Sequence, residues 1–195
     1  MPLSWQYLVL VGAVIQFGGT LSYLKDTIQG RAKPNRVTWL LWTIAPLIAT
    51  VAALTEGVKW SVLPVFMAGF CPLLVFIASF VNKNAYWKLG ILDYWCGFWA
   101  ILALILWGIT KNPTLAVIFS IVSDGCAALP ALIKAWQHPE TETIAVYATA
   151  LVSALTSFAA VKTWKLIEIA FPLYLMAANS LIIILILCRR REPVN

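Results

Sequence analysis

Long apolar runs, broken at short intervals by Gly, Pro, Asn and Lys, set the pattern of this chain. Seven stand out, at residues 5–27, 37–54, 61–81, 92–109, 114–135, 144–161 and 166–188. Each has the length to cross about 30 Å of hydrocarbon at 1.5 Å per residue. Lipid offers no partner to a bare backbone N–H or C=O, so an open-chain span must be a helix. The pattern predicts an all-α integral membrane protein with seven transmembrane helices.

Composition sharpens this reading. Of 195 residues, 62% are hydrophobic and only 11% are charged, against about 25% charged in a soluble domain. One small core cannot hide so much apolar side chain, so the outer surface must also face something apolar. The lipid bilayer is the expected partner, and no length remains for a soluble domain. The net charge of +6 reads as loop charge. Ten Lys and Arg fall after runs one, three and five and in the tail, against four on the other side. That asymmetry predicts a cytoplasmic C-terminus and an outside N-terminus. Trp5, Trp60 and Trp164 fall near the outer boundary and Trp87 and Trp136 near the inner one. A clustered basic face with polar partners is missing, so no nucleic acid is expected. The first run lacks a preceding basic segment and is expected to stay as a helix rather than act as a cleaved signal.

The chain also resembles itself. At an offset of 105 residues Leu24 meets Leu129, Ile28 meets Ile133, Pro34 meets Pro139, Thr38 meets Thr143 and Trp42 meets Tyr147. At an offset of 108, Pro64 meets Pro172, Phe66 meets Tyr174 and Cys71 meets Asn179. The expected organisation is a three-helix repeat over 1–91, a linker transmembrane helix over 92–112, and a second three-helix repeat with a short basic tail over 113–195. With one linker helix both repeats enter the membrane from the same side, so they are parallel and related by an axis along the membrane normal.

Residues Ala128-Leu129-Pro130-Ala131-Leu132-Ile133-Lys134, set in this three-plus-one-plus-three pattern, resemble the proline-kink motif of the PQ-loop superfamily, which includes the SWEET sugar transporters. The Gln of the name-giving dipeptide is Ala131 here, and the first-repeat counterpart of the Pro is Lys25. Trp39-Leu40-Leu41-Trp42 is similar to the W-x-x-W pair of the nicotinamide riboside type of vitamin transporter, which shares the architecture. The resemblance implies a membrane transporter working by alternating access. It also implies a substrate role for an Asn in span seven, here Asn179. It does not carry over a substrate.

Several residues are candidates for chemistry. Asp124 lies near mid-membrane, where a carboxylate costs at least ~2.5–3.5 kcal/mol. Such a group marks a substrate or proton path, or is held by neighbours such as Ser120 and Ser123. Asn179 sits at a similar depth and offers donors and an acceptor to a hydroxyl or amide, or serves as helix–helix glue. Trp39 and Trp42 share a helix face and suit a flat ring, with the interfacial aromatic belt as the other reading of Trp39. Tyr147, repeat mate of Trp42, is the facing wall. Tyr174, Phe17, Tyr23 and Phe66 are further lining candidates. Pro46, Pro64, Pro130 and Pro172 lie within runs and are candidate conformational hinges. Gly18 and Gly19 suit close helix approach. Trp95 and Trp99 pair on the linker helix and read as packing or lipid contacts. Asp93 and Glu168, near run ends, are expected at the interface.

The four cysteines all lie in apolar runs, without metal-ligand or disulfide spacing, and read as buried thiols. His138 is the single histidine and reads as a solvated loop residue, so no metal site is expected, nor any cofactor. No HExxH, GxSxG or P-loop pattern occurs, and an enzyme is not expected. The expected function is a small secondary carrier or facilitator for a sugar-like, vitamin-like or amino-acid-like solute, with Asp124 suited to proton coupling. The alternative is a non-transporting receptor or assembly partner of a larger membrane complex. A homo-oligomer stays open.

Overall fold

The computed structural model describes residues 6–83 and 87–191, without the side chains of residues 103, 107 and 191. Trp5 lies outside the described residues. Seven helices follow one another: α1 Tyr7–Ile28, α2 Arg36–Thr55, α3 Leu63–Ala78, α4 Ile91–Thr110, α5 Pro113–Gln137, α6 Ile144–Ser157 and α7 Leu166–Arg191. Among the described residues there is no β-strand. Over the described residues the protein is all-helical, with six helices long and apolar enough to cross a membrane.

Local chemistry sets the helix starts. Asn35 accepts from the backbone N–H groups of Val37 and Thr38 and caps α2. Asn112 does the same for Thr114 and Leu115 at α5, with Pro113 in the first turn. Both supply an acceptor to amides that lack an intrahelical partner. Gly57, at φ 80°, turns the chain after α2 in a conformation that favours glycine.

The sixth run departs from expectation. α6 has 14 residues, about 21 Å at the helical rise, which is short of the hydrocarbon thickness. Phe158, Ala159 and Ala160 then close successive turns on Leu155, Thr156 and Ser157. The apolar run thus continues as a turn whose residues Ala160 and Val161 are buried in protein. Burial in the bundle is where non-helical backbone is tolerated at such depth.

Neighbour relations place the helices. α1 packs between α3 and α6, α2 between α3 and α5, and α7 between α5 and α6. The order α1–α3–α2–α5–α7–α6 closes on itself. α4 stands outside the ring, against α5 and more lightly α2, and is the least covered of the long helices, with 25% of its apolar window buried against 61% for α2. Trp95 and Trp99 both point outward from it. Close approach of α1 and α6 depends on small residues. A Cβ on Gly19 would collide with Thr149 Oγ1 and approach the Ala145 carbonyl to 2.8 Å, and one on Gly12 would collide with Thr156. Gly18 faces open space and plays no such part.

Segments rich in Lys and Arg gather at one end, called here the basic end. Lys134 Nζ donates to the Lys33 carbonyl, Arg36 to Ser79, and Arg190 to the carbonyls of Pro139 and Glu142. Two buried clusters fill the ring. One, at the basic end, holds Tyr23, Trp39, Val75, Tyr147 and Ile182. The other, toward the opposite end, holds Val62, Val117, Ile167 and Phe171.

Candidate functional site

Where the two clusters meet, the ring encloses a cavity of about 60 Å³, counted as space open to the centres of water molecules. One water needs roughly 10–15 Å³ on that measure, so the cavity has room for a few waters or a small chemical group. Gln16 and Thr20 of α1, Trp39 and Trp42 of α2, Asp124 of α5, Tyr147 of α6 and Asn179 of α7 contribute polar or aromatic side chains to its wall.

Asp124 is buried, and its Oδ2 accepts from the Tyr174 hydroxyl at 2.7 Å. Ser120 and Ser123, the expected local partners, do not serve it. Their buried hydroxyls have no hydrogen-bond partner among the described residues. The Asp124 backbone carbonyl accepts from Trp42 Nε1 at 3.3 Å, and one turn along the Ala127 carbonyl accepts from Thr38 Oγ1 at 2.9 Å. Both carbonyls lie in the stretch of α5 just before Pro130, the internal proline of that helix. A proline there withholds an amide and loosens the ladder, and α2 side chains bond to the carbonyls beside the break.

The aromatic wall is continuous. Trp39 and Trp42 meet edge to face at 5.4 Å, and Trp42 and Tyr147 at 6.5 Å. Trp39 is buried against Tyr23, with centroids 4.9 Å apart, so the interfacial-belt reading of Trp39 is corrected. Asn179 Nδ2 donates to the Leu175 carbonyl of its own helix at 2.8 Å. This leaves the amide oxygen and one N–H without a partner on its own helix.

Four lining candidates fall elsewhere. Tyr174 stands behind Asp124 rather than in the wall, and Tyr23 lies beneath the chamber. Phe17 and Phe66 are on outward faces, Phe66 stacked on Phe70 at 5.8 Å. The hinge reading of Pro64 is also corrected. It occupies the first turn of α3, just after the 3-10 turn Trp60–Val62, where a proline breaks no helical bond. The internal proline of α3 is Pro72, which borders the cavity. Pro46 and Pro172 are internal to α2 and α7.

Sequence reasoning missed Gln16, a lone amide within an apolar run, and a buried charge pair beneath the chamber. Lys134 Nζ donates to Glu142 Oε1 at 2.5 Å, with both side chains almost fully covered. Glu142 Oε2 accepts from Tyr147 OH at 2.7 Å and Tyr23 OH at 3.3 Å. Trp87 covers Lys134, its ring 5.2 Å from the ammonium. At the opposite end Glu168 accepts from the backbone N–H groups of Lys162 and Thr163, from Thr163 Oγ1 and from Ser61 Oγ. Asp93 accepts from Asn35 Nδ2 and the Gly90 amide. Both carboxylates lie in the first turn of a helix and are buried by protein, because each found donors from a neighbouring segment. Cys71 and Cys96 are buried, Cys126 is partly covered and Cys188 is exposed, and all four thiols are free. Cys188 thus departs from the expected burial, since it sits on the outer face of the last turns of α7. His138 is half exposed, beside Glu140. Among the described residues no cluster of His, Cys, Asp and Glu could hold a metal ion.

No protein-family model, curated protein or solved structure matches this chain.

Proposed function

We propose that this chain is a small secondary carrier of the PQ-loop type. In this reading α1–α3 and α5–α7 form two parallel repeats joined by α4, and a small polar or aromatic solute crosses by alternating access through the central chamber. The basic end faces the cytoplasm and the N-terminus lies outside, under the charge rule for loops. α6, with its buried turn, makes the seventh crossing. Asp124 contacts the solute and is positioned to couple transport to protons.

One observation carries the proposal. Trp39, Trp42, Asp124, Tyr147 and Asn179 come from four helices of both halves of the chain and border one interior cavity. A cavity lined by apolar groups with a few convergent polar ones is the usual form of a small-molecule site. Two features support the repeats. A half-turn of the ring order carries α1, α3 and α2 onto α5, α7 and α6. Trp42 and Tyr147, equivalent at the 105-residue offset, face each other at 6.5 Å.

Uptake into proteoliposomes tests the proposal, with a panel of sugars, amino acids and heterocyclic vitamins as solutes. Asp124→Asn and Asn179→Ala should each reduce uptake at least tenfold while the purified protein stays monodisperse. Uptake untouched by both substitutions would remove the chamber from the proposal. A receptor or assembly partner is the second reading, favoured by the apolar face that α4 turns outward, including Tyr94, Trp95 and Trp99. Co-purification of a stoichiometric partner, with no uptake of any solute, would select it.

A further inference from the structure

The chamber wall carries a single charged group. Several of its hydrogen-bond donors are engaged within the protein. Trp42 Nε1 bonds to the Asp124 carbonyl, Thr20 Oγ1 to the Gln16 carbonyl, Tyr147 OH to Glu142 and Asn179 Nδ2 to the Leu175 carbonyl. Gln16 is buried and borders the cavity, and its side-chain amide makes no hydrogen bond to the described residues. Tyr174 reaches one oxygen of Asp124, and the other receives no hydrogen bond from the described residues.

A buried acceptor without a partner costs free energy. A ligand that relieves it must bring donors of its own. The charge balance points the same way. Asp124 is the one ionisable carboxyl bordering the cavity, and no Lys, Arg or His lies in its wall. Three aromatic rings complete it, and their faces attract a cation while they pack against a flat group. A neutral polyol would leave the buried carboxylate without a balancing charge. An anion would meet the carboxylate with nothing to balance it.

We infer that the chamber takes a small organic cation with N–H donors on a flat group, held by Asp124 between Trp39, Trp42 and Tyr147, with the Gln16 side-chain amide beside it. This inference rests on the carrier reading for its consequence, transport, but not for binding itself.

Three probes of nearly equal shape separate the terms. Benzamidine is a cation with N–H donors, benzamide is neutral with fewer donors, and benzoate is an anion with none. Binding of each is measured on the full chain in lipid nanodiscs by calorimetry, and uptake of each is measured in proteoliposomes. Benzamidine should bind at least tenfold more tightly than benzamide, and benzoate should not bind. Asp124→Asn keeps the shape and the Tyr174 contact, and should abolish the preference for benzamidine over benzamide. Gln16→Leu should weaken benzamidine severalfold, and it keeps the test open if Asp124→Asn fails to fold. Equal binding of all three probes, tighter benzoate, no binding of any, or a preference untouched by both substitutions would overturn the inference. Selective binding of benzamidine without uptake would support the ligand class and overturn the carrier reading. Uptake of neutral solutes with no preference for benzamidine would do the reverse.

Discussion

Among the described residues each end of the bundle buries one glutamate, and the two ends satisfy it in different ways. Glu142, at the basic end, is met by side chains from three helices: Tyr23 of α1, Lys134 of α5 and Tyr147 of α6. Glu168, at the opposite end, is met mainly by its own neighbourhood, the amides of Lys162 and Thr163 and the Thr163 hydroxyl, with Ser61 as the long-range contact. The first is a junction, and through Tyr147 it shares a residue with the wall of the chamber. The second is closer to a cap on the start of α7. A carboxylate of the same type, equally covered, thus ties helices together at one end and finishes a loop at the other.

Substitution at the junction should have the largest effect. Glu142→Ala leaves the Lys134 ammonium buried without its partner, and such a break costs about 3–5 kcal/mol. Thermal unfolding in detergent should show it, and Lys134→Met with Glu142→Leu should recover most of the loss, because an apolar pair of similar volume removes both charges. Next comes Glu168→Ala, which deletes charge-assisted bonds and should cost about 1.5–3 kcal/mol. If it proved more damaging than Glu142→Ala, the contrast between junction and cap would fail.

Tyr147→Phe keeps the ring against Trp42 and removes only the bond to Glu142. Cys71 borders the chamber and is buried, so its labelling by a thiol reagent, read by peptide mass, reports opening. Labelling should accelerate severalfold in Tyr147→Phe and stay at the parent rate in Ser61→Ala. Ser61→Ala should have the smallest effect on stability, about 0.5–1.5 kcal/mol for one lost hydrogen bond. Faster labelling in that variant would mean that both ends control the chamber.

Much of the fold was legible in the sequence, because its signals are local. Apolar runs of span length predicted helices that agree with the observed ones to within a few residues, the largest departures being α3, which is shorter at both ends, and α6, which gives way to a turn. Those exceptions turn on backbone geometry inside apolar sequence, where hydropathy carries no information. Asp124 and Asn179 stood out because a polar group costs free energy in an apolar run. Gln16 carried the same signal, yet its weight became apparent only when its neighbours were known. Lys134 looked like one more loop cation. Its burial depends on Glu142 eight residues away and on Lys33 101 residues away, brought together by the packing of α1, α5 and α6.

The sequence by itself determined that this chain is helical and membrane-sized, since length and polarity act residue by residue on each segment. It also named five of the side chains that border the chamber. Only the tertiary structure decided which face each helix turns inward, that Tyr174 backs Asp124, and which hydrogen-bonding groups are already engaged. Those are properties of pairs of distant residues, and a linear pattern of polar and apolar positions does not encode which partner a donor will meet.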